Sequence, residues 1–307
     1  MRAIFRKELV DHFSSFRIFI LLLLILLASA AGIYAAFHGI RGAVGETGFV
    51  FLKWFTTGGG MLPSLVTFIA LFVPIIGIAL GFDAINSEHS SGTLSRILSQ
   101  PIFRDSVING KFLAGIVTLS IMMTATLLIV TGASLRFTGV PPTSEEAFRL
   151  LVYLILIIIY GAFWMGLSML FSVLFRRTAT SLLTSIALWL FFSFFIIMIA
   201  PLIANALAPT ADGTEAALIH NYQLQQAMLR FSPSILFEEA TAVLLLPQIR
   251  SLGVITMSQA GGMLANPLSF SQSMLLACPH ITSLVSLAII CFAISYVVFM
   301  RQEIRAT

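Results

Sequence analysis

The chain has 307 residues, of which 58% are hydrophobic and only 10% charged, and its mean hydropathy is +1.01. Ordinary soluble domains carry about a quarter charged residues, so this composition excludes one and indicates an all-α polytopic membrane protein. The net charge of +4 is an orientation signal and implies no nucleic-acid partner.

In chain order, residues 2–16 predict an amphipathic helix lying on the lipid bilayer. Phe5, Leu9, Phe13 and Phe16 recur every three to four residues, while Arg2, Arg6, Lys7 and Asp11 take the other face. The start is too long and too mixed in charge for a signal peptide, so the following apolar run reads as a retained span at about 18–38. A Gly-rich segment with Arg41, Glu46 and Lys53 comes next. The second span, about 62–82, holds Pro74 and a Gly77/Gly81 pair, small residues that let a neighbouring helix approach closely.

Residues 83–111 form a polar island between uncharged stretches at 54–82 and 112–135. A charged insert between two spans lies in water at one face of the bilayer. Glu88, then Gly92-Thr93, then Leu94, Ile97 and Leu98 at helical spacing, then Pro101 and Arg104, describe a short amphipathic helix with a marked start and stop. This is a site for meeting something soluble.

The third span is about 110–133, the fourth about 150–175, ending at Arg176-Arg177. The fifth, about 179–201, is rich in Phe. Residues 202–279 form the only large polar region. Within it, Ser232-Pro233 marks a helix start, with Glu238-Glu239 soon after, and 251–272 is uncharged but broken by Gly261-Gly262 and Asn266-Pro267. The sixth span is about 280–300. Six spans put both termini on one side, where eleven of the seventeen basic residues fall: Arg2, Arg6, Lys7, Arg17, Arg96, Arg104, Lys111, Arg176, Arg177, Arg301 and Arg305. The positive-inside rule then predicts an inner-membrane protein with cytoplasmic termini and a cytoplasmic island, and places 202–279 outside.

Chemistry-bearing motifs are sparse. No Gly-x-x-x-x-Gly-Lys-[Ser/Thr] phosphate loop is present, since Gly110-Lys111 is followed by Phe112, so the chain does not hydrolyse nucleotide alone. Gly166-Leu167-Ser168 lacks a mid-span histidine to act as base, so Ser168 reads as a packing residue. Cys278 and His280, with Met257, Met263 and Met274, lack a second spaced pair and do not make a metal motif. Apart from Lys111 at the very start of the third, the spans as drawn carry no charged residue, against the usual pattern of ion-coupled carriers.

The island string Glu88-x-x-x-Gly92-Thr93-Leu94-x-x-x-Leu98-x-x-Pro101-Ile102-x-Arg104, followed by Gly110-Lys111, resembles the signature of permease subunits of type-2 ATP-binding-cassette (ABC) transporters. The likeness covers the whole layout: interfacial helix, six spans, a helix between spans two and three, and a large outer loop. That loop is of the length found in the subgroup containing the copper-maturation permeases, although length alone assigns no substrate.

The resemblance implies one permease domain over 1–307, with a coupling region at 83–106. Its coupling helix would dock on a separate ATPase, present in two copies, which holds the ATP and Mg; this chain would bind no cofactor. The implied interface comprises Asp83, Glu88, Gly92, Thr93, Leu94, Arg96, Ile97, Leu98, Pro101, Arg104 and Lys111. A second permease chain, identical or paralogous, would complete the pathway. The expected pathway wall is Pro74, Gly77 and Gly81 with Phe191, Phe194 and Phe195, whose uncharged surface favours export of an amphiphilic cargo. Three alternatives remain. These are an ATPase-coupled mechanotransmitter or an assembly factor, both moving nothing across the membrane and meeting an extracytoplasmic partner on 202–279, and an ion-coupled carrier.

Overall fold

The computed structural model describes residues 1–42, 49–59, 62–90, 92, 103–139, 141–209, 214–252 and 267–302. These are helical throughout apart from turns and connections, and six helices are long and apolar enough to cross a membrane. The chain is a multi-pass, all-α membrane protein. It divides into two compact units, Met1–Ile186 with Val285–Thr307, and Ala187–Leu284.

In the first unit, α1 (Arg2–Ser14) precedes α2 (Phe16–Gly42), and a short helix α3 (Val50–Thr56) follows. Next come α4 (Leu65–Gly81), the five-residue α5 (Asn86–Ser90), α6 (Arg104–Thr138) and α7 (Ser144–Leu174). The centre of the unit is the α4–α7 contact. Gly77 makes it possible: a Cβ there would lie 2.6 Å from the Gly161 carbonyl oxygen and 3.1 Å from the Met165 nitrogen. Around this seam Ile69, Val73, Ile76, Tyr160, Trp164 and Met165 are fully enclosed. The Ser168 hydroxyl donates to the Met165 carbonyl at 3.0 Å inside the same contact, as its packing assignment requires.

Helices α6 (35 residues) and α7 (31 residues) exceed the roughly 20 residues that cross the hydrocarbon core, so their ends project into the interfaces. The helices therefore extend past the predicted span limits of 110–133 and 150–175 at three ends and stop one residue earlier at the fourth. Thr143 and Glu146 form a reciprocal capping box at the start of α7. Glu146 also accepts the Phe51 N–H of α3 at 3.0 Å, satisfying one of that helix's orphan donors. Hydropathy alone did not anticipate α3, although its Phe51, Leu52, Trp54 and Phe55 are all buried. Arg149 is fully buried one turn into α7, 2.8 Å from Glu145 and over the ring of Phe49.

The second unit contains the end of α8 (Thr178–Leu190), a π-helical turn over Phe191–Phe195 and α9 (Ile196–Leu207). Helices α10 (Glu215–Leu229) and α11 (Pro233–Leu245) follow, with the first part of α12 (Phe270–Arg301). The chain does not stop at Pro201; α9 runs through it to Leu207. Likewise the last helix starts at Phe270 and passes through Pro279, so Cys278-Pro279-His280 lies within a helix. Proline withholds one N–H from the helix, and one turn on the Ser283 hydroxyl donates to the Pro279 carbonyl at 2.7 Å. The π turn is served in the same way by Ser232, whose hydroxyl donates to the Phe192 carbonyl at 2.7 Å while its oxygen caps α11 at Ile235. The predicted Ser232-Pro233 helix start is thus present. Asn221 of α10 donates to Asn205 at 2.9 Å and to the Ala208 carbonyl at 2.7 Å, docking α10 on α9.

Candidate functional site

The polar island begins where α4 ends. The chain turns over Phe82–Ile85 into α5, and three side-chain ties hold that turn. Asp83 accepts from Arg17 of α2 at 2.7 Å. The Ser172 hydroxyl of α7 accepts the N–H groups of Ile85 (2.9 Å) and Asn86 (3.2 Å), which a helix start leaves unpaired. Glu88 receives the Lys111 ammonium of α6 at 2.9 Å, and the same ammonium reaches Glu8 of α1 at 2.8 Å. Beneath these ties Ile85 packs in an apolar cluster with Ile4, Val107, Ile108, Met169, Val173 and Phe299. Helices α1, α2, α6 and α7 together fix the root of the island.

The ion cluster is buried. The Lys111 side chain is 6% exposed, Glu88 11% and Glu8 12%. A lysine enclosed with two carboxylates is stable because each charge has an opposite neighbour and a hydrogen bond. Lys7 adds a fourth member, 3.3 Å from Glu8 and 3.7 Å from Glu88. Burial pushes the Glu8 carboxyl up, but Lys111 and Lys7 outweigh it and hold Glu8 below the usual carboxylate range. Burial likewise works to lower Lys7, and Glu8 and Glu88 prevail, leaving its ammonium above the usual lysine range. His12, one turn beyond Glu8, has its ring Nδ1 3.0 Å from the Thr118 hydroxyl oxygen, and burial holds its pKa below the ordinary value. This constellation contains no activated nucleophile. Its chemistry is that of a clamp, able to pass displacement of α5 to α1 and α6.

The structure brings Asp83, Glu88 and Lys111 of the predicted set together, and faces them inward. Glu88, expected at a protein–protein contact, is engaged within the chain. Arg104 donates to the Gln302 carbonyl at 3.1 Å, and Gln302 donates to the Val173 carbonyl at 2.7 Å, joining the start of α6 to the ends of α12 and α7. Gly92 adopts a left-handed conformation (φ 67°) just past α5, which only glycine takes readily, so it closes α5. Thr93, Leu94, Arg96, Ile97, Leu98 and Pro101 lie outside the described residues.

On α1 the buried residues are Ile4 and His12, and the packed stripe Ile4–Glu8–His12 meets α6. Phe5 and Leu9 are half-buried, Phe13 is exposed, and Phe16 belongs to α2, where it is 75% exposed. The sequence reading missed Glu8, His12 and Arg17 as site residues. Their signal was the four-residue step from Ile4 to Glu8 to His12, a mixed polar stripe masked by the stronger Phe periodicity. The expected pathway wall falls into two classes. Pro74, Gly77 and Gly81 are buried in α4, the glycines against α7, whereas Phe191, Phe194 and Phe195 are exposed on the π turn.

In the second unit Glu239 accepts from Arg230 at 3.0 Å and pairs with His280 at 2.6 Å, tying α11 to α12. Burial raises Glu239, but these two partners outweigh it and keep it below the usual carboxylate range; at Glu238 the neighbouring protein partly desolvates the carboxyl and raises it.

The family model described as "ABC-2 family transporter protein" matches residues 2–304. A relative described as "Probable ABC transporter permease protein NosY", from Pseudomonas aeruginosa, is 30% identical over 203 residues. That alignment covers 62% of this chain and 66%, just under two thirds, of the relative. Matched over nearly its whole length and built as six apolar helices with a clamped polar segment between the second and third, the chain belongs to the ABC-2 family of transporters.

Proposed function

We propose that this chain is the transmembrane subunit of an ABC transporter and couples ATP hydrolysis on a separate ATPase to export of an amphiphilic cargo. The observation that carries the reading is the Glu8–Lys111–Glu88 cluster. A segment that receives force from a soluble partner needs a rigid root, and this root is tied to four helices at once. The docking surface is the stretch Thr93–Arg104, with Leu94, Ile97 and Leu98 as its apolar contact. Both termini and the island lie in the cytoplasm of an inner-membrane protein, as the basic residues direct. ATP and Mg reside on the ATPase, two copies of which serve two permease chains. Phe191, Phe194 and Phe195 of the π turn and Met198 and Leu202 of α9 are exposed, an apolar surface suited to a second permease chain.

The test is co-purification with a co-expressed ABC ATPase subunit from the same organism, for wild type and Leu94→Asp. The expected result is loss of the complex, and of any ATPase stimulation, in the variant while the membrane chain stays monodisperse. An intact complex with unchanged ATPase activity would refute the docking assignment.

A further inference from the structure

Two cavities open along the same pair of helices in the first unit. One, of about 270 Å³, is polar and lies at the α1 end, lined by Lys7, Asp11, His12, Arg17, Asp83 and Glu88 among others. The second, of about 330 Å³, is apolar and is lined by Ile20, Leu24, Leu27 and Ala28 of α2 with Phe68 and Phe72 of α4.

Their registers connect. On α2, Arg17, Ile20, Leu24 and Ala28 step by three and four residues and so share one face. On α4, Phe68, Phe72 and Leu80 fall at multiples of four, and Leu80 lines the polar cavity. Arg17 and Ile20 are separated by about 4.5 Å along the helix axis. The Arg17–Asp83 pair sits where the polar cavity gives way to the apolar groove. Ile20 and Leu27 remain 47% and 63% exposed beside it.

We propose that this seam is a binding site for one aminophospholipid of the bilayer, its zwitterionic head in the polar cavity and an acyl chain along the α2/α4 groove. The walls carry both signs of charge, as a phosphate and a primary ammonium require. Arg17 has a buried Nε without a hydrogen-bond partner and Lys7 is half exposed; both suit the phosphate. Asp11 is 58% exposed and pairs with Lys7 at 3.6 Å; Lys7 turning to the phosphate leaves that carboxylate to take the ammonium. The Thr118 hydroxyl spends its proton on the Ala114 carbonyl, so it accepts from His12 Nδ1 and leaves Nε2 of that cavity-lining ring as a second acceptor. A headgroup here bridges α1, α2 and the turn before α5, so the lipid would stiffen the root of the island. The inference needs the membrane-spanning fold and stands whether or not an ATPase docks.

The test is lipid retention by the full-length purified chain. Detergent-solubilised protein is delipidated and titrated with phosphatidylethanolamine, phosphatidylcholine or phosphatidylglycerol, and bound lipid is counted by native mass spectrometry. One phosphatidylethanolamine per chain is expected, held about tenfold more tightly than either other lipid, the worth of one charge-assisted hydrogen bond. Asp11→Asn should remove that preference, and Ile20→Trp, which fills the groove from an exposed position, should lower retention of all three lipids. Equal retention of the three lipids by wild type would overturn the headgroup assignment. Unchanged retention in a monodisperse Ile20→Trp protein would overturn the groove assignment.

Discussion

Lys111 is one ammonium shared by two carboxylates from different helices, and its surroundings make the clamp sensitive to acid. Glu8 and His12 both have lowered pKa values in the fold, so both release protons more readily folded than unfolded. The unfolded chain therefore binds protons first as pH falls, and stability declines on acidification. For His12 the stability is complete above about pH 6.5 and is lost as the pH falls through its depressed value, where Glu8 and Asp83 favour the charged ring and Arg17 and Lys111 oppose it. For Glu8 the loss begins only below about pH 4.5. A melt of the purified chain between pH 7.5 and 5 should thus fall by up to about 1.4 kcal/mol per pH unit while His12 titrates. His12→Gln should flatten that limb and leave the Glu8 limb in place; an identical pH profile in the variant would exclude His12 as the source.

At the scale of elements, the α4–α7 seam depends on backbone approach. Gly77→Ala places a methyl against the Gly161 carbonyl, which cannot rotate away, and should destabilise by about 1–3 kcal/mol in detergent melts. Gly132→Ala on α6 meets nothing within 4 Å and gains helix propensity, so it should be neutral or stabilising by up to about 1 kcal/mol. Equal effects of the two substitutions would contradict the close-packing account. The glycine pair was legible in the sequence as a packing motif, but its partner helix was not, because small residues four apart do not encode which neighbour they admit. Phe13 and Phe16 show a related limit. Their spacing suggested one helical stripe with Phe5 and Leu9, yet the chain breaks at Ser15 and Phe16 enters α2. The charged stripe of α1 turns inward because α6 supplies Lys111 and Thr118 to meet it.

At the scale of the whole molecule, α12 has 32 residues and is about 48 Å long, against a hydrocarbon core of about 30 Å. The proposed topology puts the exposed Cys278 outside the membrane on the side of 202–279 and Cys291 within it. A membrane-impermeant maleimide should label Cys278 in intact spheroplasts and leave Cys291 unlabelled. Labelling of Cys278 only after permeabilisation would invert the orientation.

By itself the sequence determined the helical class, the number of spans and the position of the polar island. Each of these follows from hydropathy summed over about 20 neighbouring residues, which is a local property. The tertiary structure alone decided where the helices end and what Glu88 touches. Pro201 and Pro279 lie inside helices that run on past them, and the Phe51 N–H of α3 is met by Glu146, 95 residues further along the chain. Glu8 and Lys111, 103 residues apart, meet only once α1 has packed on α6, and a buried charge pair is stable only where both partners arrive together.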